Sequence, residues 1–161
     1  MTTDANLISP PDASTGATAH AVPHANRIPH ILKNYRTIAV VGLSDKPHRA
    51  SFDVSRYMQA AGYRIIPINP NETEVLGEKC YPSLSEAARH ENIELVNCFR
   101  NSEDIPPIVD EAIAIGAPAL WMQLGISHAE AAAKAEAAGM LVVQDHCLKI
   151  DHRVLASSGV L

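Results

Sequence analysis

The feature that most constrains this chain is a short apolar run that ends at a glycine and leads into a polar loop. Residues 38–41 are apolar and mostly β-branched, which is typical of a buried parallel strand. The run breaks at Gly42, and the loop after it carries Lys46 and Arg49 before it reaches Ser51. Because serine is a good helix N-cap, the stretch predicts a strand, a tight turn and a helix start at Ser51.

The residues after Ser51 support this helix. Apolar side chains recur at the spacing of one helical face, at Val54, Tyr57, Met58 and Ala61. Gly62 then ends the helix. At such a helix start, unpaired backbone N–H groups and the positive end of the helix dipole point at the same spot, which suits a phosphate. The stretch is therefore interpreted as a nucleotide-cofactor site.

Four further apolar runs follow the first, and segments with helical spacing separate them. The predicted strands span residues 37–43, 63–68, 94–99, 119–124 and 140–144. Strands that alternate with helices form a parallel sheet that is covered on both faces, with right-handed crossovers. The chain is predicted to be an α/β protein with a three-layer Rossmann-like fold, its five parallel strands in the order 3-2-1-4-5.

Serine residues mark the predicted start of each later helix. Ser83 and Ser127 are each followed three residues later by glutamate, the pattern of a capping box, and Ser102 precedes a segment with one apolar face. Residues 72–82 are predicted to be a connecting loop, and residues 145–161 a polar turn and a C-terminal segment, for which a short helix is one interpretation.

Composition bounds the class of protein. The 161 residues suit one globular domain, and the net charge of −5 argues against a nucleic-acid or anionic-membrane binder. No apolar run approaches the ~20 residues that a membrane span needs. The three cysteines are widely spaced and form no C-x-x-C pair, which favours reduced thiols and a cytoplasmic location.

The first 26 residues differ from the rest. They are rich in Thr, Ala, Ser, Pro and His and show no periodicity, so residues 1–26 are interpreted as a disordered tail before a domain at 27–161. No two of His20, His24 and His30 lie four residues apart on a credible helix, and no cysteine joins them, so no metal site is predicted.

The loop after Gly42 does not match the common nucleotide fingerprints. It lacks the G-x-x-G that would complete a dinucleotide motif, and the second predicted strand ends at Asn69, where an NAD site has an acidic residue. It is not an ATP-binding P-loop either. The cations Lys46 and Arg49 suit a ligand that carries more phosphate charge than NAD.

Several short stretches carry a resemblance to a known family. They are Val40–Pro47, Gly62–Pro70, Leu76-Gly77, Tyr81–Leu84, Phe99-Arg100, Leu120–Gly125 and Asp145–Cys147. In this order and spacing, the sequence resembles the small stand-alone CoA-binding proteins. These are relatives of the N-terminal CoA-binding domain of the succinyl-CoA synthetase α subunit, and the resemblance covers residues 35–155.

The resemblance implies a set of ligand contacts. The pyrophosphate of CoA would be bound by the first loop and helix start, at Gly42, Ser44, Lys46, Arg49 and Ser51. Asn69 and Pro70 would lie beside the adenosine part, with Phe99 and Arg100 near the adenine or the 3′-phosphate. Gln123 ends the fourth predicted strand, and a site role and a merely structural role are equal alternatives for it.

Three functions remain open. The favoured one is binding of a small-molecule ligand, CoA or acyl-CoA, without catalysis by this chain. The second, an NAD(P)-binding oxidoreductase, lacks its fingerprint. The third is a component of an enzyme that acts on CoA thioesters; in the ligases that the chain resembles, the phosphorylated histidine lies in a further domain, for which this chain is too short. A protein partner or a homo-oligomer stays open.

Two residues near the predicted site have competing interpretations. Cys147 follows the fifth strand, where a reactive thiol would meet the thiol end of CoA, but a buried small hydrophobic side chain is the favoured interpretation. Asp53 falls in the first helical turn, where it complements the helix dipole but would repel a phosphate if it faced the site.

Overall fold

The computed structural model describes residues 22–161. Its helices and strands are, in chain order, α1 (Arg27–Asn34), β1 (Thr37–Val41), α2 (Ala50–Ala60), β2 (Arg64–Ile68), β3 (Glu74–Val75), β4 (Glu78–Lys79), α3 (Leu84–Ala88), β5 (Leu95–Cys98), α4 (Ile105–Ala114), β6 (Ala119–Gln123), α5 (Ala129–Ala137), β7 (Leu141–His146) and α6 (Leu148–Ser157). Single turns of 3-10 helix precede α1 at His24–Asn26 and α4 at Ser102–Asp104.

A five-stranded parallel sheet forms the middle layer. Side chains of β1 alternate between its faces: Ile38 and Val40 pack with α1, α2 and α6, whereas Ala39 packs with α3, α4 and α5. Both faces are therefore covered, which is why the strands read as nearly continuous apolar runs. The prediction of a three-layer α/β, Rossmann-like fold is confirmed.

The predicted strand order is wrong. The sheet runs β2-β1-β5-β6-β7, so in the numbering of the predicted strands the order is 2-1-3-4-5, not 3-2-1-4-5. Pro67 explains the difference, because its missing N–H faces the outer side of β2, where its carbonyl accepts a hydrogen bond from Tyr81 N at 3.0 Å. β2 is thus the edge strand, and β5 pairs with β1 instead.

Of the predicted helix caps, only one holds as stated. The Oγ of Ser83 accepts a hydrogen bond from Glu86 N at 3.1 Å, as a capping box requires. The residue at the start of α5 is His128, not Ser127, because the His128 Nδ1 accepts from Ala131 N at 3.1 Å. Ser102 does not cap α4 either, since its Oγ accepts from Ser127 N at 3.1 Å across the fold.

The predicted cap at Ser51 is also wrong. Helix α2 begins one residue earlier, and its N-cap position is Arg49, which forms no side-chain cap. The Oγ of Ser51 instead accepts a hydrogen bond from Ser44 N at 3.0 Å. The serine holds the preceding loop against the helix.

Two further segments refine the predicted boundaries. The expected loop at 72–82 contains the hairpin of β3 and β4, whose turn at Leu76-Gly77 has both φ angles positive, as a two-residue hairpin turn requires. Of the predicted tail, His24–Asn26 forms a 3-10 turn, and residues 1–21 lie outside the described residues. None of the helices within residues 22–161 is both long and apolar enough to cross a membrane.

Candidate functional site

The candidate site is a groove along the carboxyl ends of the sheet, and Gly42 lies at its centre. Gly42 follows β1 with a φ of +87°, a left-handed conformation that disfavours any side chain. A Cβ at this position would lie 2.7 Å from the carbonyl oxygen of Phe99, which follows the neighbouring strand β5. Glycine is therefore required twice, for the backbone conformation and for the close approach of the two strand ends.

Side-chain hydrogen bonds hold the loop after Gly42 in place. Ser44 N donates to Ser51 Oγ at 3.0 Å, and the Ser44 Oγ accepts in turn from Lys46 N at 3.1 Å. From the adjacent strand end, Asn69 Nδ2 donates to the carbonyl oxygen of Leu43 at 3.0 Å. The loop is thus ordered by contacts from α2 and β2.

The start of α2 is left open toward this loop. The first backbone hydrogen bond of the helix runs from Asp53 N to Arg49 O at 3.1 Å, so the N–H groups of residues 50–52 have no carbonyl within the helix to bond. Within residues 22–161, no side chain caps them. Together with the helix dipole, these donors form a site that favours an anion.

Two cations surround the same space. A central depression of about 380 Å³ is lined by Gly42, Ser44, Lys46, Arg49, Ala50, Ser51 and Phe99. The side chains of Lys46 and Arg49 are exposed, and neither forms a salt bridge with a residue in the described range. Their charge is therefore available to a bound anion.

Two further depressions flank the central one. The β2-side depression, about 200 Å³, is lined by Asn69, Pro70 and Pro82, among others. The β7-side depression, about 520 Å³, includes Gln123 and Cys147. Residues are shared between the depressions, which makes them one continuous groove: Gly42 joins the central and β2-side parts, Phe99 the central and β7-side parts, and Arg100 lines both flanks.

The structure brings all ten predicted ligand residues to this groove. The central depression holds Gly42, Ser44, Lys46, Arg49, Ser51 and Phe99, and the flanking depressions hold Asn69, Pro70, Arg100 and Gln123. Some of their polar groups are already occupied by the protein. Both ends of the Asn69 side chain are used, because its Oδ1 also accepts from Asn71 N at 2.9 Å. Asn69 therefore acts through the loop that it positions.

Gln123 has features of both roles that the sequence left open, the structural role and the site role. Its side chain is almost wholly buried, with 5% exposed, and its Oε1 accepts long hydrogen bonds from Asn97 Nδ2 at 3.3 Å and Leu148 N at 3.4 Å. Its Nε2 makes no hydrogen bond within residues 22–161 and is not enclosed by the protein. Gln123 thus ties β6 to its neighbours, and its Nε2 amino group, with two N–H donors, borders the β7-side depression.

Asp53 does not face the central depression. It lines the β7-side depression, where its Oδ2 lies 2.9 Å from Lys149 Nζ. The hydrogen bond from Lys149 keeps the pKa of Asp53 below its ordinary value, and the charges of Lys149 and Arg56 act in the same direction. The negative charge at the start of α2 is therefore compensated from α6.

The contribution of α6 to the groove was missed from the sequence. Lys149, Ile150 and Arg153 of α6 line the β7-side depression, whereas none of the predicted site residues lies in this segment. The spacing of Leu148 and Leu155, both packed on the core, was the available signal, because positions i and i+7 share a helix face. No group of three or more His, Cys, Asp or Glu in the described part of the chain is placed to hold a metal ion.

A family model matches most of this chain. Residues 36–153 match the family model described as a CoA binding domain. The chain belongs to the CoA-binding domain family. The match includes β1 through most of α6, so it spans the strand ends and loops that form the groove.

Relatives of this CoA-binding domain protein are found in bacteria and archaea. An uncharacterised protein of Bacillus subtilis, YneT, is 43% identical over 132 residues, which are 82% of this chain and 96% of the relative. The solved structure of a hypothetical protein from Pyrococcus horikoshii is 38% identical with a TM-score of 0.77, and covers 80% of this chain and 89% of its own.

A third similar structure belongs to a larger protein. It is the dinucleotide forming acetyl-coenzyme A synthetase 1 of Candidatus Korarchaeum cryptofilum, with 25% identity and a TM-score of 0.60. The matched region covers 70% of this chain but only 26% of the synthetase. A region similar to this chain thus forms about a quarter of that longer protein.

Proposed function

We propose that this chain binds CoA or an acyl-CoA in the groove, with the pyrophosphate in the central depression, and that it catalyses no reaction by itself. The observation that carries the proposal is the start of α2, which no side chain within residues 22–161 caps, with the cations Lys46 and Arg49 beside Gly42 in a chain of the CoA-binding domain family. Backbone N–H groups, a helix dipole and two cations all act on one anion there.

The flanking depressions suit the two arms of this ligand. The resemblance assigns the adenosine part to Asn69 and Pro70, on the β2 side of the centre. Arg100 lines that flank and carries the charge for the 3′-phosphate, although Asp104 Oδ2 lies 3.7 Å from its guanidinium. The pantetheine arm then extends past Phe99 into the larger β7-side depression.

Binding of NAD(P) is the less favoured alternative. In a dinucleotide site, an acidic residue at the end of the second strand accepts hydrogen bonds from the ribose hydroxyls. Here Asn69 follows β2, and its amide is bonded to Leu43 O and Asn71 N. No carboxylate replaces it among the residues that line the β2-side depression except Glu111, whose Oε1 accepts from Ser85 N at 2.6 Å.

Calorimetric titration of the purified chain tests the proposal. We expect CoA and acetyl-CoA to bind, and NAD, NADP and ATP at the same concentrations to bind at least about tenfold more weakly, a difference of ~1.4 kcal/mol. Binding of NAD or NADP alone would contradict the proposal and favour the oxidoreductase.

A further inference from the structure

The β7-side depression is lined by a cysteine that has no part in phosphate binding. Cys147 follows β7, occupies the N-cap position of α6 and lines the depression together with Phe99, Gln123 and Ile126. On the proposed function, this depression receives the arm of CoA that ends in a thiol or thioester. The cysteine and the thiol end of the ligand therefore share one space of about 520 Å³.

Cys147 is the one cysteine of the three that is not buried. Cys98 is fully buried in the sheet, and burial raises the pKa of its thiol to about 12. Cys80 is also buried, and burial raises the pKa of its thiol. Cys147 is partly exposed. Because thiol–disulfide exchange requires an accessible thiolate, chemistry at the other two cysteines is disfavoured.

Gln123 supplies an independent indication that a ligand occupies this depression. Only 5% of the surface of this residue is exposed, and its Oε1 accepts hydrogen bonds from Asn97 Nδ2 and Leu148 N. Its Nε2 faces the depression with no partner among the described residues. This donor group has room for a ligand, and the amide or thioester carbonyl of a pantetheine arm would accept a hydrogen bond from it.

We propose that Cys147 exchanges with the disulfide form of CoA and thereby links one CoA covalently to the protein. The thiolate sulfur of Cys147 attacks one sulfur of the CoA disulfide, and a new bond forms between Cys147 Sγ and that sulfur. The S–S bond of the CoA disulfide breaks, and the second CoA leaves as a thiolate, which takes up the proton that Cys147 released. The disulfide is the oxidant, and a thiol reductant reverses the step.

The test compares CoA disulfide, which the groove is expected to bind, with cystamine, a small disulfide that carries no phosphate. The reduced full-length chain is incubated with CoA disulfide or with cystamine, and intact and digested protein is analysed by mass spectrometry. We expect one CoA on Cys147, none on Cys80 or Cys98, loss of the adduct in Cys147→Ser, and its removal by dithiothreitol. A Cys80→Ser variant serves as the matched control and should react like the wild type.

The loop cations show whether the groove directs the reaction. We expect Lys46→Ala and Arg49→Ala each to slow modification by CoA disulfide about tenfold, in line with weaker binding, and to leave the rate with cystamine unchanged. Equal effects on both reagents, or none on either, would overturn the proposal and make Cys147 an ordinary accessible thiol.

Calorimetry separates failure of this inference from failure of the proposed function. If Cys147→Ser and the wild type bind CoA equally but CoA disulfide leaves no adduct, the covalent step is overturned and CoA binding stands. If neither protein binds CoA, both proposals fail.

Discussion

At the scale of single residues, the groove depends on a glycine at position 42. Gly42 combines a positive φ with a contact that leaves no room for a side chain. Gly62, at the end of α2, also has a positive φ, but a Cβ there would meet no atom within 4 Å. A side chain at residue 62 would suffer only backbone strain, whereas one at residue 42 would also collide with the neighbouring strand end.

Replacing Gly42 by alanine should therefore destabilise the protein more than Gly62→Ala. The left-handed backbone alone costs an alanine about 1–2 kcal/mol, and the contact with Phe99 O adds to this only at residue 42. Urea denaturation of the two variants measures the difference. Equal losses of unfolding free energy would show that the strand ends are not packed as closely as described.

Removing either loop cation should weaken ligand binding without weakening the fold. Lys46→Ala and Arg49→Ala are each expected to lower CoA affinity by roughly 1–3 kcal/mol, the range for a charge-assisted hydrogen bond. Their exposed side chains contribute little to folding. Titration calorimetry and urea denaturation measure the two effects. Lys33→Ala is the control, because this exposed lysine lies in α1, which leads into the opposite end of β1.

At the scale of elements, the loop after β1 is positioned by the helix that follows it. Ser51 lies in the first turn of α2 and accepts from Ser44 N, so the serine connects helix and loop. We expect Ser51→Ala to lower the unfolding free energy by about 1 kcal/mol, the usual value of one such hydrogen bond, and to lower CoA affinity as well. Loss of affinity without any loss of stability, by the same two measurements, would contradict this role.

Helices α2 and α6 pack together through a histidine that favours its neutral form. His152 Nδ1 lies 2.9 Å from Tyr57 Oη, and the imidazole packs edge-on against Tyr57 and Tyr63. Burial lowers the pKa of His152 below its ordinary 6.5, and the charge of Arg36 lowers it further. The unfolded chain therefore takes up the proton at a higher pH than the folded one.

This difference predicts a pH-dependent contribution to stability. The contribution is fully present above about pH 6.5 and is lost as the pH falls from there through the lower folded pKa. The unfolding free energy of His152→Phe should decline less than that of the wild type between about pH 7.5 and about pH 5.5. Identical slopes in urea denaturation across this range would exclude His152 as the source.

At the scale of the whole molecule, the groove depends on strand order. Because β5 pairs with β1, Gly42 and Phe99 follow adjacent parallel strands, and the direction in which successive strands are added to the sheet reverses between them. Ligands of doubly wound sheets bind at such a switch point. The groove is thus formed by loops from one continuous sheet, and ligand binding should stabilise the domain as a unit.

CoA should therefore raise the melting temperature of the whole domain. At a hundred times its dissociation constant, a ligand adds about 2.7 kcal/mol, which corresponds to roughly 5–10 °C for a domain of this size. Scanning calorimetry should show one transition that moves upward with CoA concentration, and no such shift with NAD. If NAD alone raised the melting temperature, the assignment of the groove to CoA would be wrong.

Much of the fold follows from local sequence. The apolar runs place the strands of the sheet within two residues of their observed ends, because a strand buried on both faces needs a continuous apolar stretch. Gly42 marks the turn and Ser83 the cap of α3, since each acts within a few residues of itself. The ten candidate ligand residues share one edge because parallel strands place their carboxyl ends together.

Only the tertiary structure decided which of these pieces meet. The position of β5 depends on a pairing between residues far apart in sequence, although Pro67 in β2 was a local sign of an edge strand. Ser51 and Ser102 bond to Ser44 and Ser127 instead of capping their helices, because each finds a donor in a neighbouring loop. The β7-side depression exists only because α6 folds back beside α2, a long-range packing that no local pattern contains.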